Sequence, residues 1–155
     1  MTRMRISTVT EADLAELLAL MRGYCDFYEV SPADDELLAL SRALIADPVH
    51  DGTQLIARDD GGRAIGFATL YWSWSTLDAC RMGIMYDLFV DPGARGGGVG
   101  RALIEACADR CREREIRILS WETAPDNATA QALYDSIGAE PGTWIVYELG
   151  VERRE

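Results

Sequence analysis

The chain has 155 residues, 48% of them hydrophobic, which is the size of one compact domain able to bury a core without disulfide or metal staples. Its formal net charge of -11 argues against nucleic acid as a partner, because phosphates require a basic footprint, and it favours cationic partners instead. No apolar run approaches the ~20 residues of a membrane span, no N-terminal stretch has the order of a secretory signal, and Cys25, Cys80, Cys107 and Cys111 form no C-x-x-C pair, so a soluble, cytoplasmic protein with reduced thiols and no membrane partner is expected.

Arg3 to Val9 is rich in β-branched residues and reads as a first strand. Thr10 and Asp13 have capping-box spacing ahead of Leu14, Leu17, Leu18 and Met21, which recur at helical spacing. Ser31, Pro32 and Asp34 repeat the start signal for a second helix with Leu37, Leu40, Leu44 and Ile45 on one face, ended by Asp47-Pro48. Gln54 to Arg58 and Arg63 to Trp72 flank Asp59-Asp60-Gly61-Gly62 and predict a β-hairpin. Met82 to Val90 is a further strand that runs into the loop Asp91 to Gly100, too glycine-rich for regular structure. Leu103, Ile104, Cys107 and Cys111 then mark a helix, Ile116 to Trp121 a strand, Ala128 to Ile137 a helix ended by Gly138, and Trp144 to Leu149 a last strand. This order predicts an α/β (α+β) fold with helices on both faces of a mixed sheet.

Three consecutive glycines opening a helix present unshielded backbone N–H groups at a positive helix dipole, an arrangement that holds phosphate or pyrophosphate. Arg95 and Arg101 flank them in an otherwise acidic chain and can pair with phosphate oxygens, so a flexible connection is the weaker account of Gly93 to Gly100. Gly93 and Gly98 have Walker spacing but are followed by Val99 and Gly100 in place of Lys and Ser or Thr. The frames starting at Gly96 and Gly98 lack the third glycine of a dinucleotide loop, which also opposes a nucleotide-binding regulatory domain.

Arg95-Gly96-Gly97-Gly98-Val99-Gly100 fits Arg-x-x-Gly-x-Gly, and with Asn127-x-x-Ala130-x-x-Leu133-Tyr134-x-x-x-Gly138-Ala139 it resembles the GNAT N-acetyltransferase superfamily. The resemblance runs from Arg5 to Leu149 in element order, with the diagnostic residues between Tyr86 and Ala139. It implies one domain over residues 1–155 and a central mixed, mostly antiparallel twisted sheet of about six to seven strands flanked by about four helices. It also implies acetyl-CoA or coenzyme A as cosubstrate, a small-molecule amine as acceptor and a homodimer; no metal is expected, because Cys107 and Cys111 have no further Cys/His cluster to complete a site. In such proteins the loop from Arg95 through Gly96, Gly97, Gly98, Val99 and Gly100 to Arg101 grips the pyrophosphate. Backbone groups of Leu88, Phe89 and Val90 hold the pantetheine arm and the acetyl carbonyl, and Asn127 reaches the cofactor.

Acyl transfer needs a neutral nucleophile, a polarised carbonyl and a proton for the departing thiolate. Tyr134 matches the family residue that protonates the sulfur; its phenol, with an ordinary pKa of ~10, is protonated at neutral pH. On the residues alone a core aromatic beside Leu133 and Ile137 is the stronger account of Tyr134, which the motif reverses, and Asn127 is the cap of the same helix. Asp87 and Glu122 are the candidates for binding the ammonium or accepting its proton, with structural salt bridges as the competing account. Tyr71, Trp72 and Trp74 form an aromatic cluster that serves either strand packing or, through Trp72 and Trp74, a cation-holding amine pocket. His50, the single histidine, lies in a predicted loop, and Cys107 and Cys111 read as core residues, so direct amine attack is expected over a covalent acyl-enzyme. A non-catalytic acyl-CoA-binding module on the same fold is the alternative, and it would have no use for Tyr134.

Overall fold

In the computed structural model, which describes residues 3–153, the predicted capping box is formed: the Thr10 N–H donates to Asp13 Oδ2 at 2.9 Å. It joins strand β1 (Arg5–Thr8) to helix α1 (Leu14–Phe27), and α2 follows at Asp34–Ala46. Arg58 ties this corner to the sheet, its Nη2 bonding Asp13 Oδ1 at 2.7 Å and its Nη1 bonding Glu16 Oε1 at 2.8 Å. Burial raises the Asp13 pKa, but the Thr10 N–H and the Arg58 guanidinium overcome that and hold its carboxyl below the usual range.

The chain divides into two compact units between Glu122 and Thr123. The first carries a five-stranded sheet in the order β1-β2-β3-β4-β5, with β2 at Gly52–Arg58, β3 at Ala64–Ser75, β4 at Cys80–Val90 and β5 at Leu119–Ser120. The first three pairings are antiparallel and β4-β5 is parallel, so the sheet is mixed and mostly antiparallel as expected. The hairpin falls where Asp59 to Gly62 predicted it, with the Asp59 N–H donating to the Arg63 carbonyl at 3.0 Å.

One face of the sheet receives α1. Val9, Leu14, Leu17, Leu20 and Met21 bury against Ile56, Phe67 and Phe89 in a single apolar cluster. Full burial of side chains such as Leu17 and Phe67 stabilises by about 1.5–3 kcal/mol each. At Gly23 the helix comes so close that an added Cβ would stand 2.9 Å from the Phe89 ring, so this residue sets the seat of α1 on β4. The opposite face receives α3 (Val99–Glu113): Val99 and Leu103 crowd Gly66, the neighbour of Phe67 on β3. Cys107 and Cys111 are buried on this helix, as the sequence predicts for core residues.

The second unit contains α4 (Ala128–Ser136), capped by Asn127, whose Oδ1 accepts the Ala130 N–H at 3.2 Å. Gly138 ends it at φ 84°. Among the described residues the sheet has five strands where six to seven were expected, with four α-helices. Ile116 to Trp121 yields only the two residues of β5, and Trp144 to Leu149 forms no strand. Strand propensity measures fit to a partnered surface, and Trp144, Ile145, Tyr147 and Leu149 are exposed, so propensity there is not converted into pairing. The outermost residues of the expected 1–155 domain, 1–2 and 154–155, lie outside the described residues. Among the described residues no helix is long and apolar enough to cross a membrane.

Candidate active site

The β3-β4 register places Thr69 opposite Asp87 and Leu70 opposite Met85, so Tyr86 is an extra residue in β4. Such a bulge bends a strand and re-aims its side chains. Beside it, β5 pairs only with Gly83 and Ile84. From Met85 to Val90 the outer edge of β4 therefore has no β5 partner, a slot in the strand pairing.

Backbone alternation tells which groups face this slot. The Asp91 N–H donates to the Ile65 carbonyl of the β3 side at 2.8 Å, so alternate residues Phe89 and Asp87 also turn their amides to β3. Leu88 and Val90 present theirs to the open edge. The Val90 carbonyl is met there by Arg95 Nε at 3.1 Å, which folds the Arg95 side chain back over the Phe89 ring at 5.8 Å. Of the three expected β4 contacts, Leu88 and Val90 are placed to offer backbone groups, and Phe89 is a buried core ring.

The glycine loop continues from the end of β4. Gly96 and Gly98 adopt φ of 84° and 82°, a region that favours glycine, and nothing lies within 4 Å of a Cβ added at either. Gly98 is the N-cap of α3, no side chain caps that helix, and no acidic residue sits in its first turn. The first N–H groups of α3, from Val99, Gly100 and Arg101, thus have no intrahelical acceptor and open to solvent with Gly97 beside them. Arg95 has no acidic partner among the described residues, while Arg101 Nε makes an exposed pair with Glu105 Oε1 at 3.2 Å. This cradle of bare amides and two guanidinium groups fits a pyrophosphate.

Asp87 projects to the α1 face, half-buried, against the Tyr24 and Thr69 hydroxyls. Burial pushes its pKa above the ordinary carboxylate value, and hydrogen bonding to Thr69 and Tyr24 partly offsets that. The Tyr24 phenol is pushed up strongly by burial and by Asp87, and Tyr71 rises to about 12 for the same two reasons. Behind them Gln54 Nε2 donates to Thr69 Oγ1 at 3.0 Å. Gln54, Thr69 and Asp87 are thus register neighbours across β2, β3 and β4. Both Gln54 and Thr69 are buried, and Gln54 Oε1 has no partner among the described residues, a deficit that costs about 1–3 kcal/mol.

Other expected residues are not brought to Asp87. Trp72 lies on the α3 side of β3, its Nε1 donating to the Pro48 carbonyl at 2.9 Å and its ring covered by Arg114 at 4.3 Å. Trp74 is 70% exposed and covered by Arg81. The aromatic residue of this cluster that shares the Asp87 face is Tyr71, whose ring meets Tyr86 at a tilt of 59° with centroids 5.5 Å apart. Alternation along β3 explains the swap: odd positions from Thr69 share the α1 face with Asp87, their register neighbour, and even ones face α3. Glu122 is exposed, two residues beyond β5. Tyr134 is half-buried on α4, within the second unit, as is its cap residue Asn127.

Sequence reading missed Tyr24, Gln54 and Thr69. The available signal was polarity out of place: a glutamine and a threonine inside otherwise apolar strands. His50 is exposed and paired with Asp47 at 3.0 Å. Burial pushes the Cys107 thiol up to about 12, far from a reactive thiolate. Among the described residues no three His, Cys, Asp or Glu side chains gather as a metal site would require. A cleft of about 590 Å³ lies between α1 and the loop before α3, lined by Glu16, Gly23, Phe27 and Arg63 and sharing Arg95 with the glycine loop.

Comparison with known proteins converges on one family. The model of the Acetyltransferase (GNAT) family matches residues 17–139. YhfO, an uncharacterized N-acetyltransferase of Bacillus subtilis (strain 168), is 31% identical over 144 residues, covering 93% of this chain and 95% of YhfO. An L-2,4-diaminobutyric acid acetyltransferase of Streptomyces coelicolor is 33% identical over 98 residues, 63% of this chain; the match spans 56% of that relative. The fold superposes on the aminoglycoside N-acetyltransferase AAC(6')-Iy in complex with CoA with a TM-score of 0.82, at 24% identity and over 97% of this chain and 96% of that one. With a matching family model, a near full-length relative and a cradle suited to pyrophosphate beside a parted strand pair, the chain belongs to the GNAT family and is an acetyl-CoA-dependent N-acetyltransferase.

Proposed function

We propose that the protein acetylates the primary amine of a small cationic molecule by direct attack, with Asp87 as proton acceptor and Tyr134 as proton donor. The observation that carries this reading is the slot where β4 leaves β5 after Ile84, with the bare-amide loop at one end and a desolvated carboxylate beside the bulge. Acetyl-CoA supplies an activated acetyl thioester. The loop amides from Gly96 to Arg101, with Arg95 and Arg101, bind its pyrophosphate, and Asn127 adds a polar contact. The outward amides of Leu88 and Val90 hold the arm and polarise the acetyl carbonyl. Asp87 attracts the ammonium, aided by Glu122 and walled by Tyr24 and Tyr71, the rings that take the place expected for Trp72 and Trp74. Asp87 first takes one proton from the bound ammonium and passes it to solvent, leaving a neutral amine; as the N–C bond forms and the C–S bond breaks, the second amine proton passes to Asp87, the thiolate receives one from Tyr134, and solvent returns a proton to Tyr134.

Support for a cationic acceptor comes from the net charge of -11 and from relatives named for a diamino acid and for aminoglycosides. The family match crosses the boundary at Glu122 and Thr123, which supports one functional domain. Four free cysteines fit a cytoplasmic setting.

The test is CoA-thiol release across a panel of amines. Tyr134→Phe is expected to bind acetyl-CoA normally by calorimetry and turn over about tenfold more slowly, because a thiolate with a pKa of ~8.5 leaves with modest help. Binding without turnover on any amine would favour the acyl-CoA-sensing module, and better turnover of neutral amines would overturn the cationic preference.

A homodimer belongs to the same proposal. Trp144, Ile145, Val146, Tyr147, Leu149 and Val151 are all more than half exposed, a larger apolar run than a monomer ordinarily shows to water. A second copy presenting the same run covers it, since a two-fold contact is self-complementary. Light scattering is expected to give twice the 17.1 kDa chain mass, and Ile145→Asp with Tyr147→Asp to halve it. A wild type monomeric at tens of micromolar would refute the dimer.

A further inference from the structure

We propose that Gln54 and Thr69 are positioning residues that hold the Asp87 side chain in one orientation and set its proton affinity. The inference rests on the reading of Asp87 as the proton acceptor. It starts from three side chains in register across three strands: Gln54 on β2, Thr69 on β3 and Asp87 on β4. Each pairing is direct, so the three side chains share one face of the sheet beneath α1.

The direction of hydrogen bonding follows from donor count. Gln54 Nε2 donates to Thr69 Oγ1 at 3.0 Å, so that oxygen is an acceptor and its own proton is free to point onward. Asp87 is the next polar group in line, and hydrogen bonding to Thr69 favours its ionised form. From the other side the Tyr24 hydroxyl does the same. Register thus sets the Asp87 carboxyl directly opposite a hydroxyl whose oxygen is engaged by a buried amide. Gln54 is itself fixed: it is 3% exposed, and its Nε2 also reaches Met21 Sδ at 3.9 Å. An apolar sheet face needs none of this polarity for packing, and the unpartnered Gln54 Oε1 shows that the arrangement is not optimised for stability.

The titratable groups that act in this neighbourhood are Tyr24 and Cys25 on α1 and Tyr71 on β3, with Tyr86 on β4 itself. Tyr24, Cys25 and Tyr71 are all raised above their ordinary values and stay neutral where a carboxylate titrates. No cation among the described residues offsets the burial of Asp87, and the hydroxyls alone do so. Removing one donor therefore raises the Asp87 pKa further, and activity that requires ionised Asp87 is lost at a higher pH.

Thr69→Val, nearly isosteric, is expected to move the acidic limb of the kcat/KM profile upward by about one pH unit, with Thr69→Ser restoring it. Gln54→Met, which frees the Thr69 hydroxyl to rotate, should move it in the same direction by less. Melting temperatures confirm that each variant is folded. Titration of the Asp87 carboxylate carbon by NMR in wild type and Thr69→Val reads the proton affinity without reference to turnover. An unchanged carboxylate titration in Thr69→Val overturns the positioning role. A shifted titration with an unmoved kinetic limb supports the positioning role and overturns the reading of Asp87 as proton acceptor instead.

Discussion

Asp87→Asn is expected to lower kcat/KM by about 10²–10⁴-fold, the ordinary range for a lost acid–base group, while leaving acetyl-CoA affinity unchanged and raising the melting temperature near pH 8. Both effects have one cause. Burial raises the folded-state pKa of Asp87 above its ordinary value, so the fold resists the charge that the reaction needs. For an acid with a raised folded pKa, the associated stability is complete below the unfolded value and is lost as pH rises through the folded value. At pH 8 the wild type carries that cost in full. The asparagine variant, which has no charge to bury, does not, and the stability gap between the two closes as pH falls toward 4, near the unfolded pKa. Turnover of the wild type should run the opposite way, rising with pH as Asp87 ionises. Undiminished turnover by Asp87→Asn would remove Asp87 from the chemistry. A lower melting temperature at pH 8 would mean that hydrogen bonds to Thr69 and Tyr24 outweigh desolvation.

The elements most legible in the sequence are those fixed by local signals. The capping box at Thr10, the hairpin at Asp59 to Gly62 and the cap at Asn127 all form, because each depends on groups a few residues apart. The glycine loop was legible for the same reason: positive φ at Gly96 and Gly98 needs the residue type itself. What the sequence could not show depends on pairing between distant segments. The bulge at Tyr86 comes from the mismatch of β4 with β3, and it reverses which face each later side chain takes. The pairing of β3 with β4 likewise decides which β3 rings share a face with Asp87: Trp72 and Trp74 pack under Arg114 and Arg81, and Tyr71 turns toward Asp87. The polar line of Gln54 and Thr69 was hidden likewise, since nothing in either strand alone reveals that the two residues are partners. The expected strand at Trp144 to Leu149 failed for the converse reason, because alternation supplied propensity and no neighbour took it up.

Gly98→Ala is expected to weaken acetyl-CoA binding by about 5–30-fold while shifting the melting temperature of the free protein by only a few degrees. A left-handed residue with a Cβ costs roughly 1–2 kcal/mol, and each 1.4 kcal/mol is tenfold in affinity. At φ 82° Gly98 must either carry that strain or rotate its peptide groups out of the cradle. The methyl group itself meets nothing within 4 Å, so the fold is not under steric attack; it intrudes instead on the space above the N-terminus of α3 where the pyrophosphate is read to sit. Gly93→Ala is the matched control. Gly93 lies in the same loop without a positive φ, and an added Cβ there would approach only Asp91 Oδ2 at 3.4 Å, so its affinity should stay within about twofold of wild type. Calorimetry on the two variants separates conformational demand from loop composition. Equal, small losses would mean that the loop tolerates any short residue and that the amides of Gly96 to Arg101 do not form the anion site. A large loss at Gly98 alone would tie affinity to backbone geometry at the start of α3.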